Sequence, residues 1–134
     1  MSNTAALAAD KDTPLGSWRA RAVAGSAVSL LEGIRAAVGD EVAVVYAEGA
    51  PLAVGERSFV KELHLNSDDR SGFDAAVAAA GAADTVVIAV GEEAFQSGEA
   101  RSQVELGLKG VQQQLLERVY AANPNTVVVL MNGR

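Results

Sequence analysis

The sequence predicts an α/β fold: a mostly parallel sheet with helices on both faces, forming a partial α/β sandwich. Three observations carry this. Two runs, DTVVIAVG (84–91) and TVVVLMNG (126–133), have no polar face and read as strands buried on both sides, as parallel strands are. Segments with apolar residues at helical spacing are interleaved with them. The alternation of helix and strand spells repeated βα units, which close into a parallel sheet.

Taken in order, residues 1–25 read as irregular structure, with small side chains, Pro14, Gly16 and Gly25. From Ser26, SAVSLLEGIRAAVGD puts Val28, Leu31, Ile34 and Val38 on one helical face, with Ser26 as N-cap and Gly39 as the terminating glycine. EVAVVYAEG (41–49) is a compact β-branched run closed by glycine, a strand by pattern. Residues 50–70 carry weak signals and several charges and read as a long loop, which in a compact domain is usually an insertion or a functional element. GFDAAVAAAGAAD (72–84) is an alanine-rich helix suited to close packing on a sheet. KGVQQQLLERVYAANPN (109–125) lines up Val111, Leu115, Leu116 and Val119 on one stripe and ends before Pro124.

The bulk numbers exclude several functions. With 134 residues the chain reads as a single domain, 1–134, and 49% hydrophobic residues suffice for a core. Seventeen acidic against eleven basic side chains, net −6, argue against nucleic acid or an anionic membrane as partner. No apolar run approaches the roughly 20 residues of a membrane span, and residues 1–10 lack a signal-peptide pattern. The absence of cysteine removes thiolate chemistry and leaves the compartment open. The lone His64 makes a histidine metal site or a Ser-His-Asp triad a poor expectation, and no cofactor motif is present. A three-stranded sheet would be thin, with apolar edges lacking partners. The domain is therefore expected to be incomplete, its edges covered by more protein or by another copy in a homo-oligomer.

Ligands of open parallel sheets bind outside the carboxyl ends of the strands. The loops after Val45, Val90 and Met131 all emerge there, which gathers the 47–70 loop, the 91–108 loop and the terminal AsnGlyArg. The middle one, within AVGEEAFQSGEARSQVEL (89–106), holds Glu92, Glu93, Glu99 and Glu105. The plainer interpretation is a solvated loop in which Glu92 and Glu93 cap or flank a turn. The functional one is a single glutamate acting as general acid, its pKa raised by burial or by a neighbouring carboxylate.

AADTVVIAVGE, SGEARS, GVQQQLLERV and TVVVLMNGR, in that order, resemble the C-terminal α/β-sandwich domain of glycoside hydrolase family 3, of the bacterial β-glucosidase type. AADKDTPLGSWRARA resembles the loop after that domain's first strand, and SAVSLLEGIRAAVGD with VVYAEGA its first helix and second strand. The resemblance implies a retaining β-glucosidase that acts on a β-glucoside or related oligosaccharide. Its aspartate nucleophile would come from a (β/α)₈ barrel and its general acid/base glutamate from this domain. The matching glutamate is Glu99, in Ser97-Gly98-Glu99-Ala100. Gly98 would let the backbone approach the sugar, and Trp18 would stack on it, with core packing as the competing role for Trp18. Where relatives carry SerArgThrAspLeu, this chain has Ser102-Gln103-Val104-Glu105-Leu106, so the charge partner is lost or moved to Arg101. The barrel, the first strand before Ala5 and the strands after Arg134 are not in the sequence. The resemblance thus implies a fragment, inactive alone. The alternative is a non-catalytic sugar-binding or self-associating module.

Overall fold

The computed structural model describes residues 7–23, 25–58 and 60–133. Its elements run α1 (Leu30–Val38), β1 (Ala53–Val54), β2 (His64–Leu65), α2 (Phe73–Ala82), β3 (Val86–Gly91), α3 (Gln112–Ala122) and β4 (Thr126–Met131). The α/β class is as the sequence predicts. β3 and β4 pair in parallel from Val86 opposite Thr126 to Gly91 opposite Met131, with α3 as the crossover between them.

α1 begins three residues later than expected. Ser29, not Ser26, is the N-cap, because Ser29 and Glu32 form a reciprocal capping box: Glu32 N–H donates to Ser29 Oγ (3.2 Å) and Ser29 N–H donates to the Glu32 carboxylate (3.0 Å). Ser26 has no acidic residue three positions on. The ion pair with Lys11 (2.5 Å), together with the Ser29 amide, holds the Glu32 carboxyl down to about 2. A depressed carboxyl contributes above its ordinary value of 4.5 and is lost as the pH falls through about 2, so the cap persists in mild acid. Gly39 (φ 58°) ends the helix as predicted. Ser29→Ala is expected to lower stability by about 1 kcal/mol, readable in a urea titration.

The segment 41–49 corrects the sequence reading. It bends at its start and joins no ladder, and Val42 and Val45 are exposed. Among the described residues no strand lies alongside it, and an isolated β-branched run cannot satisfy a sheet by itself. The expected loop at 50–70 contains a small antiparallel pair, Ala53 opposite Leu65 and Val54 opposite His64. The buried Asn66 ties the end of this pair to its neighbours. Its amide donates to Pro51 O (3.0 Å) and Asp69 O (2.9 Å), while its backbone carbonyl accepts from Val111 N–H (3.2 Å) at the head of α3. Side-chain bonding of this kind is invisible to a periodicity argument.

The core lies between α2, α3 and β3, formed by Phe73, Ala80, Ile88, Val90, Val111, Leu115 and Val119. The alanines of α2 let α3 approach closely, and Asn123 ties the two helix ends by donating to Ala80 O (3.0 Å) and Ala83 O (2.7 Å). Burial of both apolar strands on both sides is corrected. Ile88 and Val90 are buried, but Val87 on β3 and Val127, Val128 and Leu130 on β4 are open to solvent. No described strand or helix covers that edge of β4. The expected irregular stretch at 1–25 includes residues 1–6 and 24, and the terminal AsnGlyArg includes Arg134; these lie outside the described residues.

Candidate functional site

The carboxyl end of β3 is built by side chains that replace a ladder. Gln112, buried at the start of α3, accepts from Gly91 N–H (2.8 Å) and donates to Gly91 O (2.9 Å). Glu92 N–H donates to Met131 O (2.7 Å), and its carboxylate accepts from Gly133 N–H at 3.4 Å. The loop after β3 and the residues after β4 therefore meet, as the topology requires.

Glu93 starts a single 3₁₀ turn, Ala94–Gln96, through a second capping box. Its carboxylate accepts from Phe95 N–H (2.6 Å), and Gln96 Oε1 accepts from Glu93 N–H (2.7 Å). Capping is the sequence reading that holds for this glutamate; the solvated alternative fails, because Glu93 is only 3% exposed. A carboxylate taken that far from water needs a cation. Arg57 supplies it, bonding Glu93 Oε1 through Nε and Asp10 Oδ2 through Nη2 (2.7 Å), with Asp12 at 3.6 Å. Asp10 also accepts from Asp12 N–H (2.8 Å) and Thr13 Oγ1 (2.7 Å). Arg19 closes the cluster on Asp12 (2.9 Å), with its guanidinium 4.6 Å from the centre of the Phe95 ring.

Burial pushes the Asp10 carboxyl up, but the hydrogen bonds of Thr13, the Asp12 amide and Arg57 outweigh it and leave it below its ordinary value. Burial likewise pulls the Arg57 guanidinium down, and Glu93 and Asp10 more than offset this, so it stays charged. A lowered carboxyl contributes stability that is present above its ordinary 3.8 and lost as the pH falls below it. The wild-type melting temperature is therefore expected to fall more steeply than that of Asp10→Asn between about pH 4 and pH 2. Parallel profiles in circular-dichroism melts would contradict the assignment.

Glu99 lies farther along the same loop, exposed, between two residues of left-handed backbone: Gly98 (φ 112°) and Ala100 (φ 61°). A Cβ on Gly98 would crowd the Ser17 side chain, 3.1 Å from its Cβ, and stand 3.8 Å from Trp18 Nε1. The Glu99 loop and the Trp18 loop are thus in contact through a glycine. Trp18 is 70% exposed, which removes core packing as its role. A non-glycine residue in the left-handed region costs about 1–2 kcal/mol. Ala100→Gly is accordingly expected to leave stability unchanged or raise it by up to about 1 kcal/mol, measured by thermal denaturation.

Arg101 donates from Nη2 to Lys61 O (2.7 Å) and Ser58 O (3.3 Å), joining the loop to the segment before β2. Glu105 pairs with Lys109 (3.0 Å), four residues on, at the surface. His64 is exposed on β2. Among the described residues no group of three or more acidic or histidine side chains could hold a metal ion, and no helix is long and apolar enough to cross a membrane.

Sequence reasoning thus names Trp18, Gly98, Glu99 and Arg101 but misses Asp10 and Arg57. These two stand 47 positions apart, and Arg57 and Glu93 stand 36 apart, in stretches with no periodicity. Their one sequence signal is charge placed in otherwise uninformative loops.

Residues 3–134 match the family described as the glycosyl hydrolase family 3 C-terminal domain. The chain is 38% identical over 136 residues to a periplasmic beta-glucosidase of Salmonella typhimurium, covering 96% of this chain and 18% of the relative. It is 36% identical over 107 residues to a beta-xylosidase of Formosa agariphila, covering 80% of this chain and 13% of that protein. A probable beta-D-xylosidase 6 of Arabidopsis thaliana is 33% identical over 69 residues, 52% of this chain and 9% of the relative. The chain spans less than a fifth of the length of these relatives.

Proposed function

Because the chain belongs to the C-terminal domains of glycosyl hydrolase family 3, we propose that it supplies the general acid/base of a retaining β-glycosidase, with Glu99 in that role. The observation that carries the reading is the presentation of Glu99. It stands at the carboxyl edge of the parallel pair, between Gly98 and Ala100 in left-handed backbone, beside the exposed Trp18. A strained Ala100 beside an exposed carboxylate is the pattern expected where a loop is shaped for a ligand rather than for stability.

In the proposed reaction Glu99 first protonates the departing glycosidic oxygen. It then takes the proton from the water that releases the sugar from a covalent intermediate. The intermediate forms on a second carboxylate, an aspartate of a barrel domain, about 5–5.5 Å away in retaining enzymes. Glu99 is exposed here, so the burial that tunes a general acid has to come from the surface that covers the loop. The substrate class is a β-glucoside or β-xyloside, with Trp18 stacking on the sugar and Arg101 holding the loop. The names of the beta-glucosidase and beta-xylosidase relatives support that class.

A division of labour between two domains has a direct consequence. The isolated chain is expected to give no turnover of a chromogenic β-glucoside, while a cellobiose titration shifts the fluorescence of Trp18, the single tryptophan. Turnover by the isolated chain that vanishes in Glu99→Gln would overturn this division, since Glu99 would then be working without its partner.

A further inference from the structure

Arg57, Ser58 and Lys61 grip the Glu99 loop at two points. At one end, Arg57 holds Glu93 and Asp10 together; their side chains are 15%, 3% and 8% exposed. At the other, the carbonyls of Ser58 and Lys61 accept from the Arg101 guanidinium. Glu99 lies between these points, on the stretch from 93 to 101, which carries a single 3₁₀ turn. Asp10 bonds the Asp12 amide and the Thr13 hydroxyl at the start of a 3₁₀ turn, Thr13–Leu15, which leads into the loop of Ser17 and Trp18 that touches Gly98. One arginine therefore spans two loops remote in sequence that end on the same exposed surface.

We propose that Arg57 is a positioning residue, acting through Glu93 and Asp10 to fix the Glu99 loop and the Trp18 loop relative to each other. This rests on the reading of Glu99 as the functional group of its loop, but the geometry behind it is independent of any sugar. The reason arginine is needed is its fork. Nε meets one carboxylate and Nη2 the other in a fixed planar geometry. A lysine at position 57 carries the same charge on a single point, without the planar fork that presents one nitrogen to each carboxylate, so it cannot hold both in this geometry. The other groups facing Arg57 are Asp12 and, beyond it, Arg19, so the cluster holds three carboxylates against two guanidiniums. Removing Arg57 leaves buried carboxylates without their cation, and the two loops separate before the core does.

Amide hydrogen exchange on the full chain tests this, comparing wild type with Arg57→Gln and Arg57→Lys. In Arg57→Gln, amides of 94–101 and 11–19 are expected to exchange about tenfold faster or more, while those of α2, β3 and α3 stay within about twofold. Acrylamide should quench Trp18 more efficiently in the same variant. Arg57→Lys keeps the fold and loosens one of the two loops. Equal acceleration everywhere, core included, would make Arg57 a general stability residue and overturn the proposal, as would no change in either loop. A Glu99→Gln variant that kept full glycosidase activity in a barrel-containing enzyme would remove the acid/base reading and leave the exchange result to decide the role of Arg57.

Discussion

Gly91→Ala is expected to destabilise the chain by roughly 3 kcal/mol or more. Gly91 closes β3 with φ 141°, a region that L side chains rarely adopt, opposite Met131 in the parallel register. A Cβ there would overlap the Met131 carbonyl, 2.7 Å from its carbon and 2.9 Å from the Met131 nitrogen. These are backbone atoms of the paired strand, so no side chain can swing aside. Left-handed strain contributes about 1–3 kcal/mol and overpacking a similar amount. The same movement would pull Gly91 from the Gln112 side chain and Glu92 from Met131 O, the two links that aim the loop. For a domain of this size the melting temperature should drop by about 10 °C. A change within about 1 kcal/mol would mean that β3 and β4 can part at this end without consequence.

The legibility of the fold depends on the kind of interaction that builds each element. α2, α3, β3 and β4 are readable from apolar composition and spacing, and Val111, Leu115 and Val119 do line the core. The segment 41–49 has the composition of a strand yet forms none, because a strand is completed by a neighbour and composition cannot say whether one is present. The start of α1 is misplaced by pattern because the decisive feature is a hydrogen bond between Ser29 and Glu32, and Ser26 has the same residue type without the partner. β4 looks buried on apolar content alone, but its outer edge faces solvent in the described residues.

The site divides along the same line. Glu99, Gly98, Trp18 and Arg101 are named through the resemblance of ordered segments; the topology argument reaches the loop of Gly98, Glu99 and Arg101 but not that of Trp18. The contact that joins the Trp18 and Glu99 loops runs through Ser17 and Gly98. The groups that hold the edge together are charges in loops without pattern. Asp10, Arg57 and Glu93 can be paired only once the chain is folded, because each has many opposite charges as equally plausible partners in sequence. Of the four glutamates between 89 and 106, one holds the loop through Arg57, one meets Gly133, one pairs with Lys109 and one is left exposed at the tip: Glu93, Glu92, Glu105 and Glu99 in turn. That distribution is compatible with the role proposed for Glu99.

The largest expected effect follows from that role. In a retaining glycosidase the acid/base contributes about 10²–10⁴-fold to rate, and the size of the loss depends on the leaving group. A poor leaving group, such as an alkoxide, cannot depart unprotonated. A good one departs without help, so its first step survives when the acid is removed. The decisive measurement uses a chimera in which this chain replaces the segment it matches in the Salmonella typhimurium periplasmic beta-glucosidase. Glu99→Gln in that chimera is expected to lower kcat/KM for an alkyl β-glucoside by about 10²–10⁴-fold while leaving that for a dinitrophenyl β-glucoside nearly unchanged. A chimera whose Glu99→Gln variant hydrolysed both substrates as well as its parent, or lost both equally, would contradict the assignment of Glu99 as the general acid/base.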